Sequence, residues 1–395
     1  MQDQKSALHY LPLQLSFLIF SMLLNCMGII ILKYSGSEIE YQKLGILEFF
    51  KDIPIAVVSL FCVNFVNKLG SVKSLSLGLS AVFIGCLLLP ILDAFWFFKI
   101  WFIIIGVSFA IAKISIYAIV KSDVSEEQQL SKVMSRVEAS FVIGIFCVNI
   151  GFGWLLSSRF EEFWKFGFWL IALLSVFTIW ILWKSGYQEI PSENLQNLSE
   201  IQKIFTFRNL LFLSILFLIV FLEQCLNSWL PTFYKKNLNV NSFYSLQSTA
   251  FLALFSFAGR FLTSKFITRF RWFRYIMFCL LPLLILMITS QYFIFNINNN
   301  LRILLFIFPV LGLFLSPLYP LYSSKFLANI DKEKVNLIVS LIVIISSLGS
   351  SIGSFGMSIV FGQNGDLYFM LFAMLPLVLI LAITIIFSKK LILRQ

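Results

Sequence analysis

The chain has 395 residues, of which 59% are hydrophobic and 12% are charged. An average soluble domain is about 45–50% apolar and about 25% charged, so a water-soluble fold cannot bury this much apolar surface. A single histidine and six scattered cysteines without a CxxC pair leave no pattern for a metal site or a disulfide framework. The composition therefore indicates an integral membrane protein.

Apolar runs long enough to cross a bilayer recur along the whole chain. A bilayer core about 30 Å thick needs about 20 apolar residues per helical crossing, and no alternating pattern of a membrane β-barrel is present. We therefore predict an all-α polytopic membrane protein with twelve transmembrane helices. The predicted spans, numbered 1 to 12, are 10–32, 44–66, 74–92, 95–120, 133–157, 163–183, 209–233, 245–266, 275–295, 301–321, 335–361 and 367–387.

Lysine and arginine set the expected orientation. With the N-terminus in the cytoplasm, nineteen basic residues fall on the inner side and nine on the outer side, which obeys the positive-inside rule. We therefore expect a multi-pass protein of the inner (cytoplasmic) membrane with both termini cytoplasmic. This topology accounts for the net charge of +11, and no basic stripe with interleaved aromatic residues indicates a nucleic acid partner.

The distribution of spans predicts two halves. The longest polar stretch lies at the middle of the chain, with six spans before it and six after it. The predicted domains are an N-terminal six-helix bundle at 1–183, a cytoplasmic linker at 184–208 and a C-terminal six-helix bundle at 209–395.

Similar sequence offsets indicate that the halves arose by duplication. The basic loop after span 2 matches the loop after span 8 at an offset of 201 residues, which aligns Lys68 with Arg269. An offset of 202 residues aligns Asn25 in span 1 with Asn227 in span 7. Duplicated halves are common in transporter folds.

This arrangement resembles the major facilitator superfamily over essentially the whole chain. The family's loop signature, Gly-x-x-x-Asp-Arg/Lys-x-Gly-Arg-Arg/Lys, is kept here at Lys68 and Gly70, whereas other signature positions hold Val63, Asn67, Ser71 and Val72. The resemblance implies two bundles related by a pseudo-two-fold axis, alternating access to a central site, and a gating or structural role for Lys68, Gly70 and Arg269.

Two segments of the second half add to the resemblance. Gly-Arg-Phe-Leu at 259–262 resembles the end of the eighth span, including that of fucose-permease-like members. Ser-Trp-Leu-Pro-Thr-Phe-Tyr at 228–234 resembles the segment that closes the seventh span in many sugar and organic-anion importers, and we assign Trp229 to substrate binding on this basis. The Gly-Pro antiporter signature expected in span 5 is absent, which favours import over drug export.

The sequence contains no machinery for ATP hydrolysis or catalysis. No Gly-rich loop ends in Lys-Ser or Lys-Thr, and no nucleophile elbow or HExxH motif occurs. We therefore expect a transporter without enzymatic activity or cofactor, driven by an ion or solute gradient or passive.

Ionisable residues within the spans are the first candidates for function, since each is costly in the bilayer. In span 2, Glu48, Lys51 and Asp52 share one helical face near the predicted outer end. Three interpretations stay open: a solvated salt-bridge cluster at the outer surface, an outer gate, or a carboxylate pair that takes up a proton.

Span 4 contains a lone ammonium at Lys113, at about the same depth as Glu138 in span 5. Two interpretations stay open. Lys113 and Glu138 form a purely structural pair, or Lys113 faces the central cavity and attracts an anionic substrate group.

Span 7 carries the most central carboxylate, Glu223, followed by Gln224 and Asn227. With Asn25, these side chains are predicted to line a polar site near the membrane midplane, in which Glu223 carries the coupling proton. In span 8, Arg260 lies closer to the cytoplasmic end, and we favour a gate or brace over a substrate ligand. Small residues at 349–356 in span 11 predict close helix packing.

Together these features predict a secondary active transporter. The expected cargo is a small hydrophilic, anionic solute that moves by proton-coupled symport, and the expected protein is a monomer in the bilayer. The alternative is a proton antiporter that exports a siderophore-like or drug-like compound. A lipid flippase stays open as a third class.

Overall fold

The computed structural model describes residues 9–35, 39–92, 94–123, 127–187, 206–266, 270–296, 303–327, 335–363 and 365–388. Within these ranges every regular element is a helix. Short 3-10 helices at Glu161–Phe166 and Asp366–Tyr368 precede α7 and α14. The α-helices are α1 Leu11–Leu24, α2 Met27–Tyr34, α3 Tyr41–Leu69, α4 Ser71–Leu92, α5 Phe95–Asp123, α6 Glu127–Ser157, α7 Gly167–Lys184, α8 Phe207–Asn237, α9 Ser242–Phe266, α10 Trp272–Asn296, α11 Leu304–Leu315, α12 Leu318–Leu327, α13 Val335–Gly362 and α14 Phe369–Ile386.

These helices account for the twelve predicted spans. Among the described residues, ten helical segments are long and apolar enough to cross a membrane. The other two spans are α3 and α9, which have 29 and 25 residues. They correspond to spans 2 and 8, and α3 carries Glu48, Lys51 and Asp52 in its first half. Long apolar runs become helices because only intrahelical hydrogen bonds satisfy the backbone within lipid.

Span 1 is discontinuous, which differs from the single helix that we predicted. Its first half ends at Leu24 and its second half starts at Met27. The Asn25 side-chain amide donates to the Ser21 carbonyl at 2.9 Å, as does the Asn25 backbone N–H at 3.1 Å. An asparagine side chain that bonds to the preceding turn competes with helix continuation, so Asn25 ends α1.

Span 10 is also broken, and it extends beyond its predicted end at residue 321. The turn at Ser316 and Pro317 separates α11 from α12, and α12 continues to Leu327. Proline has no N–H to donate and its ring clashes with the preceding turn. The Ser316 hydroxyl donates to the Ser256 carbonyl of α9 at 2.6 Å, which fastens the break to the neighbouring span.

By its internal contacts the chain divides into two compact units. The first unit contains α1, α4 to α7 and the part of α3 from Phe50 onward. The second contains Met27–Phe49, which includes α2 and the start of α3, together with α8 to α14. The predicted linker falls largely on residues 188–205, which lie outside the described residues. The predicted domain boundaries stay a prediction.

Aromatic packing forms much of the core of the first unit. Trp101 of α5 is fully buried and meets Phe168 of α7 edge-on, with ring centroids 4.9 Å apart. Phe168 also packs against Phe152 of α6 at 4.6 Å. The edge-to-face geometry of Trp101 and Phe168 suits the aromatic quadrupole, and the Phe152 ring is tilted against Phe168. They hold α5, α6 and α7 together.

Close backbone contact between α8 and α13 organises the second unit. A Cβ atom at Gly349 would lie 2.5 Å from the Phe217 carbonyl oxygen, and one at Gly353 would lie 2.5 Å from the Phe221 carbonyl oxygen. Glycine at i and i+4 therefore lets two membrane helices approach without intervening side chains. This confirms the close packing predicted for span 11, and it fixes the part of α8 that carries Glu223.

Candidate functional site

The second unit brings Glu223 of α8, Arg260 of α9 and Tyr319 of α12 into one electrostatic cluster. Glu223 interacts with Arg260, and the Tyr319 phenol interacts with both. The Tyr319 hydroxyl also lies 3.3 Å from the Ser346 hydroxyl of α13. We call these four residues the Glu223 cluster. Its members come from spans 7, 8, 10 and 11.

Backbone geometry explains how each member reaches the cluster. Glu223 lies about 24 Å along α8 from Phe207, near the middle of the helix. Gly259, next to Arg260, would clash with the Leu313 backbone of α11 if it carried a Cβ atom, so α9 and α11 touch backbone to backbone. Tyr319 is the second residue of α12, directly after the break in span 10.

The cluster faces an accessible surface of the second unit. Arg260 is exposed, and Glu223, Tyr319 and Ser346 are partly exposed. Charged side chains within membrane spans normally pair or contact water. A carboxylate, a guanidinium and two hydroxyls at this depth provide a group that can exchange a proton, a fixed cation and hydrogen-bond partners for a polar solute.

A second polar network in the same unit surrounds Glu48. The Glu48 side chain is fully buried, and the Gln224 amide donates to its carboxylate at 2.7 Å. Gln224 also donates to the Ser228 hydroxyl at 2.6 Å. The predicted substrate ligand Gln224 therefore holds the predicted proton-coupling residue Glu48.

Trp229 is fully buried. Its indole N–H donates to the Ser354 hydroxyl of α13 at 3.1 Å, and its ring stacks on Phe361 with centroids 5.1 Å apart. These contacts brace α8 against α13. Asn227 is exposed, and its backbone carbonyl packs against Gly28 of α2.

In the first unit, Lys51 and Asp52 are both 4% exposed, and their charged atoms are 3.8 Å apart. The Lys51 ammonium also donates to the Leu24 carbonyl at 3.5 Å, at the end of α1. The alternative of a solvated surface cluster is therefore wrong for Glu48, Lys51 and Asp52, because tertiary packing covers all three. Asn25 is partly exposed at the break in span 1.

Lys113 of α5 is partly buried, with its ammonium 6.0 Å from the centre of the Phe109 ring one turn earlier. The side chain of Glu138 lies outside the described residues, so the pairing of Lys113 with Glu138 stays a prediction. Arg269 also lies outside the described residues.

The loop after span 2 is a tight turn between α3 and α4. Gly70 has φ 94°, a backbone conformation that favours glycine because other residues meet their own Cβ there. Its N–H donates to the Val66 carbonyl at 2.8 Å, which closes α3. Lys68 is exposed beside this turn.

Sequence reasoning missed Tyr319, Ser346 and a cluster at one end of the first unit. There the His9 ring nitrogen lies 3.2 Å from the Asp123 carboxylate, and the Tyr187 hydroxyl donates to the His9 carbonyl. Burial, followed by the charge of Asp123, raises the pKa of the Tyr187 phenol above its ordinary value. A signal for Tyr319 existed in Pro317, which predicts an interrupted span.

Comparison with known proteins identifies the fold. The sequence profile described as Major Facilitator Superfamily matches residues 14–354. A search of curated protein sequences finds no match.

Solved structures of transporters resemble the chain along nearly its whole length. One is a bacterial homolog of the human lysosomal transporter Spinster in an inward-facing, unoccupied conformation, at 13% identity, with 97% of this chain and 96% of that chain covered and a TM-score of 0.72. A D-xylose-proton symporter has 13% identity, 94% and 96% coverage and a TM-score of 0.73. A nucleoside transporter has 13% identity, 97% and 99% coverage and a TM-score of 0.72.

At this identity the solved structures show the fold alone. They confirm the predicted all-α fold class of twelve transmembrane helices, and the profile covers most of the chain. The chain is a multi-pass membrane protein and a transporter rather than an enzyme, and it belongs to the Major Facilitator Superfamily.

Proposed function

We propose that the protein is a proton-coupled symporter of a small hydrophilic, anionic solute, with Glu223 as the proton carrier. The observation that carries this proposal is the electrostatic interaction of Glu223 with the exposed Arg260. When Glu223 is ionised, it competes with a solute anion for Arg260. When Glu223 is protonated, the guanidinium is available to the anion, so proton and solute bind together.

Charge elsewhere in the spans supports an anionic solute. Lys113 adds a second cation within a span of the first unit. Cations within spans are costly, so their presence favours a role in attracting a charged cargo. This extends the role of Arg260 from the gate or brace expected from sequence to the binding of the substrate anion.

The structural relatives support coupling to a gradient. One of them is a D-xylose-proton symporter, and no ATP-binding motif occurs in this chain. We further propose that the protein works as a monomer in the inner membrane. Both termini are proposed to be cytoplasmic, because the distribution of lysine and arginine favours that orientation.

The test uses purified protein in liposomes. Thermal-shift screening against sugar acids, di- and tricarboxylates, amino acids and ferric siderophores first selects a solute. Uptake is then measured under an inward proton gradient and, separately, as exchange between equal concentrations on both sides.

Glu223→Gln keeps the shape of the side chain but cannot ionise. We expect it to retain exchange and to lose accumulation driven by the proton gradient. Glu48→Gln is the matched control, because Glu48 is also a carboxylate in a span but bonds to Gln224. Accumulation by Glu223→Gln together with its loss in Glu48→Gln or Asp52→Asn would move the coupling site to span 2. Acceleration of wild-type transport by an opposed proton gradient would instead establish the exporter.

A further inference from the structure

An apolar groove lies on the first unit where α3 passes α5. Its volume is about 250 Å³, and the described residues that line it have apolar side chains apart from one thiol: Val57, Val58, Phe61, Cys62, Phe65 and Ile111. Cys62 and Ile111 form its floor and are 2% and 6% exposed, whereas Phe61 on its rim is 55% exposed. The groove is therefore concave and open to the outside of the unit.

The rim residues of the groove on α3 share a helical face with the ammonium group of Lys68. Val57, Phe61, Phe65 and Lys68 are spaced by four, four and three residues, which places them on one face of the helix. Val57 and Lys68 are eleven residues apart, or about 16 Å along the axis. That length matches one leaflet, about half of a 30 Å bilayer core.

Lys68 has no competing partner at the end of this face. It is exposed, and in the part of the chain that the structure describes it makes no ion pair or ring contact. The residue before it is Asn67 rather than an acid. A membrane-edge ammonium without an acidic neighbour is complementary to a phosphate.

We propose that this groove binds an acyl chain of an anionic phospholipid, with the lipid phosphate against the Lys68 ammonium. The concave apolar lining contacts an acyl chain on more sides than a flat helix surface does, so it holds that chain in preference to the surrounding bulk lipid. The single cation adds a preference for an anionic headgroup of about fivefold, the effect typical of one basic residue at a membrane surface. This inference does not depend on the proposed solute or on proton coupling.

The test is native mass spectrometry of the purified full chain with phosphatidylglycerol and with phosphatidylcholine of the same acyl chains. We expect the wild type to retain phosphatidylglycerol about fivefold more strongly. Lys68→Gln should remove this difference. Lys184→Gln is the matched control, because Lys184 is also at a helix end but its ammonium lies 3.8 Å from the centre of the Trp180 ring.

A second pair of variants tests the apolar part. Val57→Trp fills the groove and should weaken binding of both lipids, whereas Val378→Trp, on an equally exposed valine of α14, should not. If Val57→Trp does not fold, Phe61→Ala, which lowers the rim, should weaken both lipids instead. Glycerol 3-phosphate alone should give no thermal stabilisation, because it lacks the acyl chain.

Two results would overturn the proposal. The first is equal lipid retention by Lys68→Gln and Lys184→Gln, which would mean that the headgroup is not recognised at Lys68. The second is a Val57→Trp variant that blocks transport but leaves lipid binding unchanged. That outcome would mean that another segment of this chain occupies the groove during transport.

Discussion

Replacing Gly353 with alanine tests whether the contact between α8 and α13 positions the Glu223 cluster. The new methyl carbon would lie 2.5 Å from the Phe221 carbonyl oxygen, whereas ordinary contact begins at 3.4 Å, so the helices must separate by about 0.9 Å. Overpacking of this kind costs about 1–3 kcal/mol, against a gain of about 0.8–1 kcal/mol from the better helix propensity of alanine. We expect a net destabilisation of up to about 2 kcal/mol.

The displacement also reaches function, since Glu223 follows Phe221 by two residues. A shift of about 1 Å at a reacting group is enough to reduce rates by about 100-fold in enzymes, and we expect solute uptake in proteoliposomes to fall at least about tenfold. The unfolding midpoint in detergent–SDS mixtures measures stability. Gly151→Ala is the control, because a Cβ atom at Gly151 meets nothing within 4 Å. Wild-type stability and uptake in Gly353→Ala would refute the reasoning.

Three further outcomes are expected. Lys113→Ala should abolish uptake with normal membrane insertion, and Lys113→Arg should restore part of it; recovery of uptake in the double variant with Glu138→Ala would show a structural pair instead. Tyr319→Phe should raise the KM for the solute about 5- to 10-fold, because it removes one hydrogen bond to the solute, and the unfolding midpoint should not change. An unchanged KM would mean that Tyr319 does not belong to the binding site. The pKa of the Tyr187 phenol is raised above its ordinary value of 10.0. The phenol therefore stabilises the folded state at pH values below 10.0, and this stabilisation is lost as the pH rises further. Tyr187→Phe should therefore be less stable than wild type by about 1 kcal/mol at pH 8, and the difference should shrink above pH 10; a constant difference would contradict the sign.

The helices were predictable because lipid leaves the backbone no alternative. The apolar run that starts at Phe95 begins a helix at that residue in the structure, since the loss of polarity in the sequence coincides with entry into the bilayer. Small residues in span 11 predicted close packing for the same local reason, because a helix with glycine every fourth residue has a flat face.

Tertiary contacts were not predictable from a single sequence. Periodicity placed Glu48 on a helical face, but whether that face was wet depended on Gln224, which lies 176 residues later. Tyr319, which interacts with Glu223 and Arg260, is the second residue of the helix that begins after the break at Pro317. The predicted site residues in span 7 thus have different partners. Glu223 interacts electrostatically with Arg260, whereas Gln224 donates a hydrogen bond to Glu48.

Two of the three places where the chain passes between its compact units lie beside a weak point in a helix. In span 1 the passage lies between Cys26 and Met27, where the helix is already interrupted. In α3 it lies between Phe49 and Phe50, and Pro54 lacks the N–H that would bond to the Phe50 carbonyl. Span 1 is already interrupted at its passage, and α3 lacks one helical hydrogen bond in the turn that follows its passage. The local stiffness of the chain at these two passages is therefore lowered by Asn25 and Pro54, which lie within the spans themselves.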